Sequence, residues 1–421
     1  MTVLVSGAGI GGLTLALSLH QAGIPVRVFE AVRELKPLGV GINLQPHAVR
    51  ELTELGLLED LDRIALRTRE VAYFSTGGKL IWKEPRGQRA GYAWPQFSIH
   101  RGKLQMMLLE TARARLGPEA IRSGTAVEAW RETAEGVEVD LSERETGRSL
   151  GTERGSLVVA ADGIHSTARA RLYPDEGLPV WGGIMMWRGV TRGPRFLDGA
   201  TMAMAGCKAR KFVCYPLSEE GEGQDGGGAV INWIADLAMP PDTLWKREDW
   251  NRKGALDDFL PRFADWHFDW LDVPAIIRQA ESVYEYPMVD RDPLPRWTHG
   301  RMTLLGDAAH AMYPIGSNGA TQAIIDARVL TRELLQRGLS AEALSAYDDE
   351  RRPATAKIVT ANRGDGPDRI LDIVEERAPG GFEKIEDVLS HEELDRTAKS
   401  YKHIAGFDVD TLNARPSIVA V

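Results

Sequence analysis

VLVSGAGIGGLTLALSLHQAGIPVRVFE, residues 3–30, is the stretch whose reading decides the fold. Val3 to Val5 is an apolar run that reads as a buried strand. Gly7, Gly9 and Gly12 follow at the G-x-G-x-x-G spacing. Leu13, Ala16 and Leu17 then recur at helical spacing, and the helix ends near Gly23. Val26 to Phe29 forms a second strand, closed by Glu30. Strand, glycine turn, helix, strand and acid in this order make a βαβ unit suited to a dinucleotide. Gly7 permits the tight turn, Gly9 lets the backbone approach a pyrophosphate, and Gly12 lets the helix pack close. The unpaired N–H groups of the helix N-terminus face the phosphates. Glu30 is placed to accept hydrogen bonds from a ribose diol, and an acid there suits an unphosphorylated ribose. The motif alone leaves NAD and FAD equally open.

Two later stretches share this character. LVVAADGIHSTAR (157–169) is an apolar strand ending in Asp162-Gly163, where parallel sheets bind ligands. RMTLLGDAAHAMYPIGSNGATQAIIDA (301–327) is a short strand ending in Gly306-Asp307, then a turn carrying Pro314, Gly316 and Gly319, then a long helix. Asp307 can bond a sugar-like hydroxyl chain. The glycine turn offers N–H groups and a helix dipole to a negatively charged ring. Arg101, at the start of a helix read over Lys103 to Leu116, is placed to grip a phosphate or a ribose. A plain surface arginine and a plain Asp-Gly turn are the alternative readings of the same residues.

Between these stretches the pattern changes. IMMWRGV, TMAMAG, KFVCYPL and AVINWIADL, within 182–237, are short strand-like runs separated by Gly- and Pro-rich turns. They predict an antiparallel sheet. Strand alternation puts Lys211, Val213 and Tyr215 on one face, and Met186 with Arg188 likewise. Val71 to Trp82 reads as strand, turn and strand, and Thr125 to Leu141 as a hairpin. Trp245 to Ala264 reads as helical, Pro287 to Pro295 as loop, and Phe382 to Ser400 as a surface helix in a peripheral tail.

The whole chain sets outer bounds. Its 421 residues allow two or three units with large cores. A net charge of −9 gives no reason to expect nucleic acid or an anionic membrane as partner. Two cysteines, Cys207 and Cys214, make neither a disulfide framework nor a zinc spacing, and no metal is expected. The apolar N-terminus lacks a basic leader and matches the nucleotide loop, and no membrane-spanning run follows. A cytoplasmic protein, monomeric or homodimeric, is the expectation.

GAGIGG, ADGIHS and GDAAH in this order resemble the group A flavoprotein aromatic hydroxylases, the single-component FAD monooxygenases of the para-hydroxybenzoate and salicylate hydroxylase type. The resemblance runs to about residue 365. LGVGINLQPHAV, WPQFSIHRG, MMWRGVT, YPMVDRDPLPRW and LLGDAAHAMYPIGSNGATQAI are similar to phenazine-modifying hydroxylases of the pyocyanin pathway. The resemblance implies an α/β chain: a Rossmann-like FAD-binding domain (1–72, 100–180 and 288–365), an inserted antiparallel β-sheet substrate domain (73–99 and 181–287) and a C-terminal helical tail (366–421). It implies that Gly7, Gly9, Gly12 and Glu30 hold the ADP part of FAD and that Arg101 lies near its phosphates. Asp162 would serve FAD and NAD(P)H, and Asp307 the ribityl chain or pyrophosphate. The loop Pro314, Gly316, Asn318, Gly319 would pack on the isoalloxazine.

The implied activity is hydroxylation of an aromatic or heteroaromatic substrate with NADH or NADPH and O2 through a flavin C4a-hydroperoxide, with or without decarboxylation. The pocket is expected between the antiparallel sheet and the flavin. Tyr215 is the first candidate to touch substrate there, and Arg188 and Lys211 are candidate partners for a carboxylate. Packing explains Tyr215 and Trp187 as well, a solvated surface explains Lys211, and His310 is read as structural. An N-oxygenating or polyketide-tailoring monooxygenase and a non-catalytic aromatic-binding flavoprotein stay open. A dehydrogenase is disfavoured by the two later aspartate motifs, and a halogenase by the missing W-x-W-x-I-P.

Overall fold

A computed structural model describes residues 2–221, 228–243, 252–364 and 366–420. The opening βαβ unit forms as read. Val3–Ser6 pairs in parallel with Val26–Glu30 on one side and with Leu157–Ala160 on the other. The three informative strands therefore meet in one sheet, which runs Thr298–His299, Met302–Leu304, Leu157–Ala160, Val3–Ser6, Val26–Glu30, Ile121–Ser123. Its central strands are apolar on both faces because both are covered. Helix Ile10–Gln21 lies between helices Arg101–Leu116 and Gly319–Arg337. A three-stranded antiparallel sheet (Ala126–Thr133, Gly136–Ser142, Ser149–Gly155) adds Val137, Val139 and Leu141 to the same core.

The second body is a seven-stranded sheet in the order Val283–Asp290, Val180–Pro194, Gly228–Ala238, Arg210–Gly221, Thr201–Cys207, Glu70–Phe74, Leu80–Pro85. It is antiparallel except where Thr201–Cys207 meets Glu70–Phe74. Strand alternation divides its residues. Trp187, Phe212, Cys214 and Trp233 point to one side and bury under Phe259, Phe263, Trp266 and Ile276. Trp187 stacks on Phe259 with ring centroids 5.0 Å apart, so it is a packing residue. The opposite face carries Met186, Arg188, Lys211, Val213, Tyr215, Ile234 and Asp236 and looks toward the first body. A small sheet of Gly41–Leu44, Gln96–His100 and Ala65–Thr68 stands between the two.

Four local expectations need correction. Within Trp245–Ala264, residues 245–251 lie outside the described residues. The remainder is two 3-10 turns, Leu256–Asp258 and Leu260–Phe263, the second with Pro261 in its first turn, where no N–H is missed. The Gly-rich turn read at 221–228 also lies almost wholly outside the described residues. Pro287 to Pro295 is not all loop: strand pairing with Val180–Pro194 continues to Asp290.

The C-terminal tail is not peripheral. Helix Arg369–Arg377 buries Ile370, Leu371 and Val374 in one cluster with Tyr73, Ile81, Val213 and Tyr215. Phe382 to Ser400 holds a 3-10 turn and then a separate helix, His391–Ala405. The second helix starts at a capping box, in which the Glu393 N–H donates to Ser390 Oγ and the Ser390 N–H to the Glu393 carboxylate. Ile418 and Val419 end the tail in the main core.

Candidate active site

The three glycines divide their work as the spacing predicts. Gly7 has φ +103°, and a Cβ on it would lie 2.4 Å from the Ala161 carbonyl oxygen. A Cβ on Gly12 would lie 2.1 Å from the Gly7 carbonyl oxygen, so the helix can sit on its turn only without a side chain there. A Cβ on Gly9 would meet nothing within 4 Å. Gly9 lines a large cavity, and the helix after it has no side-chain cap on its first N–H groups. That is an open, uncapped helix N-terminus, the setting an anionic phosphate needs. Glu30 is 9 % exposed, and its carboxylate accepts the N–H groups of Ala8 and Val32, both at 2.8 Å. It braces the loop, and each oxygen keeps acceptor capacity for a diol.

The cavity continues past Arg101, Gly163 and Asp307 to the loop Pro314 to Gly319 and the N-terminus of helix Gly319–Arg337, again without a side-chain cap. Arg101 is the first residue of helix Arg101–Leu116 and is exposed. Asp307 opens the short helix Asp307–His310 with its carboxylate near Gly319. Asp162 does not line the cavity. Its Oδ2 accepts the N–H of Thr167 at 3.0 Å, while Oδ1 is buried without a partner and burial raises its carboxyl. Its neighbour Gly163 takes the place at the wall.

Asn318 reaches the cavity through its backbone. Its side chain is buried and donates to the Gly316 carbonyl at 3.1 Å and to the Tyr401 hydroxyl at 2.9 Å. Gly316, at φ +71°, has the Tyr401 hydroxyl pressed against it, where a Cβ would come within 2.0 Å. His310 is structural, as read: it is buried, with Nε2 2.5 Å from Asp326, whose other oxygen accepts from Arg351 at 2.8 Å.

The far wall is the face of the seven-stranded sheet. Register pairs Lys211 with Asp236, Val213 with Ile234 and Tyr215 with Asn232. The three residues predicted on one face do line the cavity, as do Met186 and Arg188. Met202, Met204, Met288 and Met312 supply a deformable apolar surface. Arg188 donates from Nη2 to the Gly41 carbonyl at 2.9 Å, and its Nε is buried without a partner. Asn232 accepts the Gly41 N–H at 2.6 Å. Burial pushes the Tyr215 hydroxyl up to about 12, against the opposing pull of Arg188. Lys211 is 7 % exposed, not solvated: Nζ lies 2.6 Å from Asp368 and 3.3 Å from Asp236. Burial works against its charge, and the two carboxylates more than offset this and hold it above the usual lysine range.

Asn43, Asn232, Asp236 and Asp368 were missed in the sequence. A polar residue every second or fourth place along AVINWIADL was a usable signal for Asn232 and Asp236. Asp368 arrives from 157 residues beyond Lys211 and carried none. Among the described residues no group of three His, Cys, Asp or Glu could hold a metal, and no helix is long and apolar enough to cross a membrane.

The comparisons with known proteins agree with this geometry. A family model described as an FAD binding domain matches residues 1–191 and 274–362. The phenazine 1,6-dicarboxylic acid hydroxylase PhzS of Lysobacter antibioticus is 47 % identical over 363 residues, 86 % of this chain and 89 % of the relative. The salicylate hydroxylase of Pseudomonas putida is 28 % identical over 85 % of this chain and 83 % of its own. HpxO of Klebsiella pneumoniae, solved with FAD and uric acid, superposes with a TM-score of 0.73 at 24 % identity, over 99 % of this chain and 97 % of that one. Open glycine loop, two uncapped helix N-termini and Asp307 fit FAD, and the chain belongs to the FAD-binding family of group A flavoprotein aromatic hydroxylases.

Proposed function

We propose that this aromatic hydroxylase acts on a planar, carboxylated heteroaromatic of the phenazine type, with salicylate-like single rings as poorer occupants. The supporting observation is the far wall: a methionine-rich face on which Arg188 keeps a buried, unpartnered Nε–H. In that role Arg188 takes the substrate carboxylate through a charge-assisted hydrogen bond. Tyr215, beside Arg188 and Asn232, orients the ring edge. Lys211 is not the carboxylate partner in this reading, because two carboxylates already hold its ammonium.

Gly7, Gly9, Gly12, Glu30 and Arg101 hold the nucleotide end of FAD, Asp307 its sugar-like chain, and the Pro314 to Gly319 loop its ring. Asp162 supports that site from behind. Bound FAD supplies the redox chemistry, taking a hydride from NADH or NADPH and passing one oxygen atom from O2 to the ring. The chain positions the ring and keeps water away from the reacting face, which the methionine, valine and isoleucine wall is built to do. The residue ranges of the FAD-binding domain, substrate domain and tail are proposed as read from the sequence.

The test is NAD(P)H oxidation by flavin-loaded protein with phenazine-1-carboxylate, its N-methyl derivative, phenazine-1,6-dicarboxylate and salicylate. Stimulation by a phenazine is expected, with a product heavier by one oxygen, or by one oxygen less CO2 where hydroxylation is coupled to decarboxylation. Stimulation by salicylate alone would overturn the substrate class. Hydrogen peroxide without product from every compound would overturn productive placement.

A further inference from the structure

Lys211 and Asp236 face each other across two strands, and Asp368 is brought to them by the C-terminal segment. All three line the cavity, at 7 %, 3 % and 7 % exposure. Each carboxylate binds Lys211 through Oδ2, and each leaves Oδ1 buried with no partner. Buried carboxylate oxygens without a donor are uncommon and costly, unless a ligand brings the donor. The neighbouring wall residues Met186, Met204, Val213 and Ile234 have none to give. Two carboxylates against one ammonium leave this corner one negative charge in excess, with the Arg188 guanidinium, on the adjoining strand, close enough to act on Asp236. None of the three residues falls within the ranges that the family model matches, 1–191 and 274–362. The corner thus lies outside the part of the chain that matches the FAD-binding model.

We propose that Asp236 and Asp368, bridged by Lys211, are specificity-determining residues that accept a hydrogen bond from an O–H or N–H on the ring of the bound aromatic. This rests on the reading of the cavity as a heteroaromatic site, and extends it. A substrate with a carboxylate at one edge is held by Arg188. A protic donor elsewhere on the ring is read by the carboxylate pair, and the two together fix which ring edge faces the flavin.

The experiment is ligand binding to the FAD-loaded protein, read by perturbation of flavin absorbance. The probes are 6-hydroxyphenazine-1-carboxylate and its O-methyl ether, which differ in the donor and by one methyl group, so the carboxylate variants carry the assignment. The wild type should prefer the hydroxy compound by about tenfold or more, as for a hydrogen bond to a buried charge. In Asp368→Asn the amide oxygen turns to Lys211 and its NH2 faces the cavity, so the preference should collapse or invert. Asp236→Asn repeats the test if the first variant does not fold. A preference ratio does not respond to simple destabilisation. Equal binding of both probes by the wild type, binding of neither, or a ratio unchanged in the variants overturns the proposal. Failure of the substrate class would show separately, as turnover of no phenazine.

Discussion

The two walls of the cavity are made from different kinds of chain. The flavin wall is backbone: glycines, helix N-termini and strand ends, each set by a run of neighbouring residues. The opposite wall is side chain: alternate positions on strands separated in sequence, completed by a carboxylate from beyond residue 365. The first tolerates almost no change in shape at its glycines, and its few polar side chains, Glu30, Arg101 and Asp307, come from the same local runs. The second tolerates changes of shape, being lined with methionine, but depends on a balance of buried charge. A wall that reads a cofactor common to a family can be fixed by local sequence. A wall that reads a particular substrate is assembled from distant pieces.

The largest effect should come from Gly12→Val. A side chain 2.1 Å from the Gly7 carbonyl cannot be relieved by a rotamer change. Flavin-free or insoluble protein is expected. Gly9→Ala should leave the fold and the Tm of the flavin-free protein unchanged, since its Cβ meets no protein atom, while the flavin content of the purified protein drops severalfold. The absorbance ratio at 450 and 280 nm measures both. Full flavin content in Gly9→Ala would mean that the open space at Gly9 is not where the phosphates approach.

Lys211→Met should be next. It leaves two buried carboxylates facing each other, and removing one partner of a buried ion pair costs about 3–5 kcal/mol. Urea unfolding measures the loss. The sign of its pH dependence follows from the carboxyls. Burial already raises Asp236, and loss of the ammonium raises it further in the folded state. The folded variant then binds more protons than its unfolded form from the ordinary carboxylate range upward, so its stability falls as pH rises through that window. The deficit against wild type should shrink toward pH 5. A triple variant with Asp236→Asn and Asp368→Asn should recover part of the loss at neutral pH. A deficit independent of pH would mean that the corner is held by packing rather than by charge.

These contrasts explain what could be read in advance. The βαβ unit, the two aspartate turns and the face shared by Lys211, Val213 and Tyr215 depend on periods of 3.6 and 2 within one segment, and were legible. The tail was not. Ile370, Leu371 and Val374 look like one side of a surface helix until the sheet they cover is known. Asp368 reads as a solvated acid until Lys211 is placed beside it. Asn318 reads as part of a glycine loop packed on the isoalloxazine, and only Tyr401, from a helix 83 residues later, shows that its side chain is turned inward. Contacts that join distant segments leave no period in the sequence.

Tyr401 gives the smallest expected effect and the one that tests whether the two walls are independent. Its hydroxyl accepts from Asn318 at 2.9 Å and lies 2.8 Å from Asn362 Oδ1, so it joins the flavin loop to the tail that also carries Asp368. Tyr401→Phe removes the oxygen and keeps the ring against Gly316. Asn362 loses a buried partner, and Asn318 keeps its bond to the Gly316 carbonyl, which limits the cost to about 1–2 kcal/mol. If the loop relies on the tail for its shape, FAD should bind severalfold more weakly while the hydroxy-over-methoxy preference at the Asp236–Asp368 corner stays intact. A lower Tm with unchanged flavin affinity would instead mean that Tyr401 only fastens the tail. The two walls would then share a cavity without sharing a constraint.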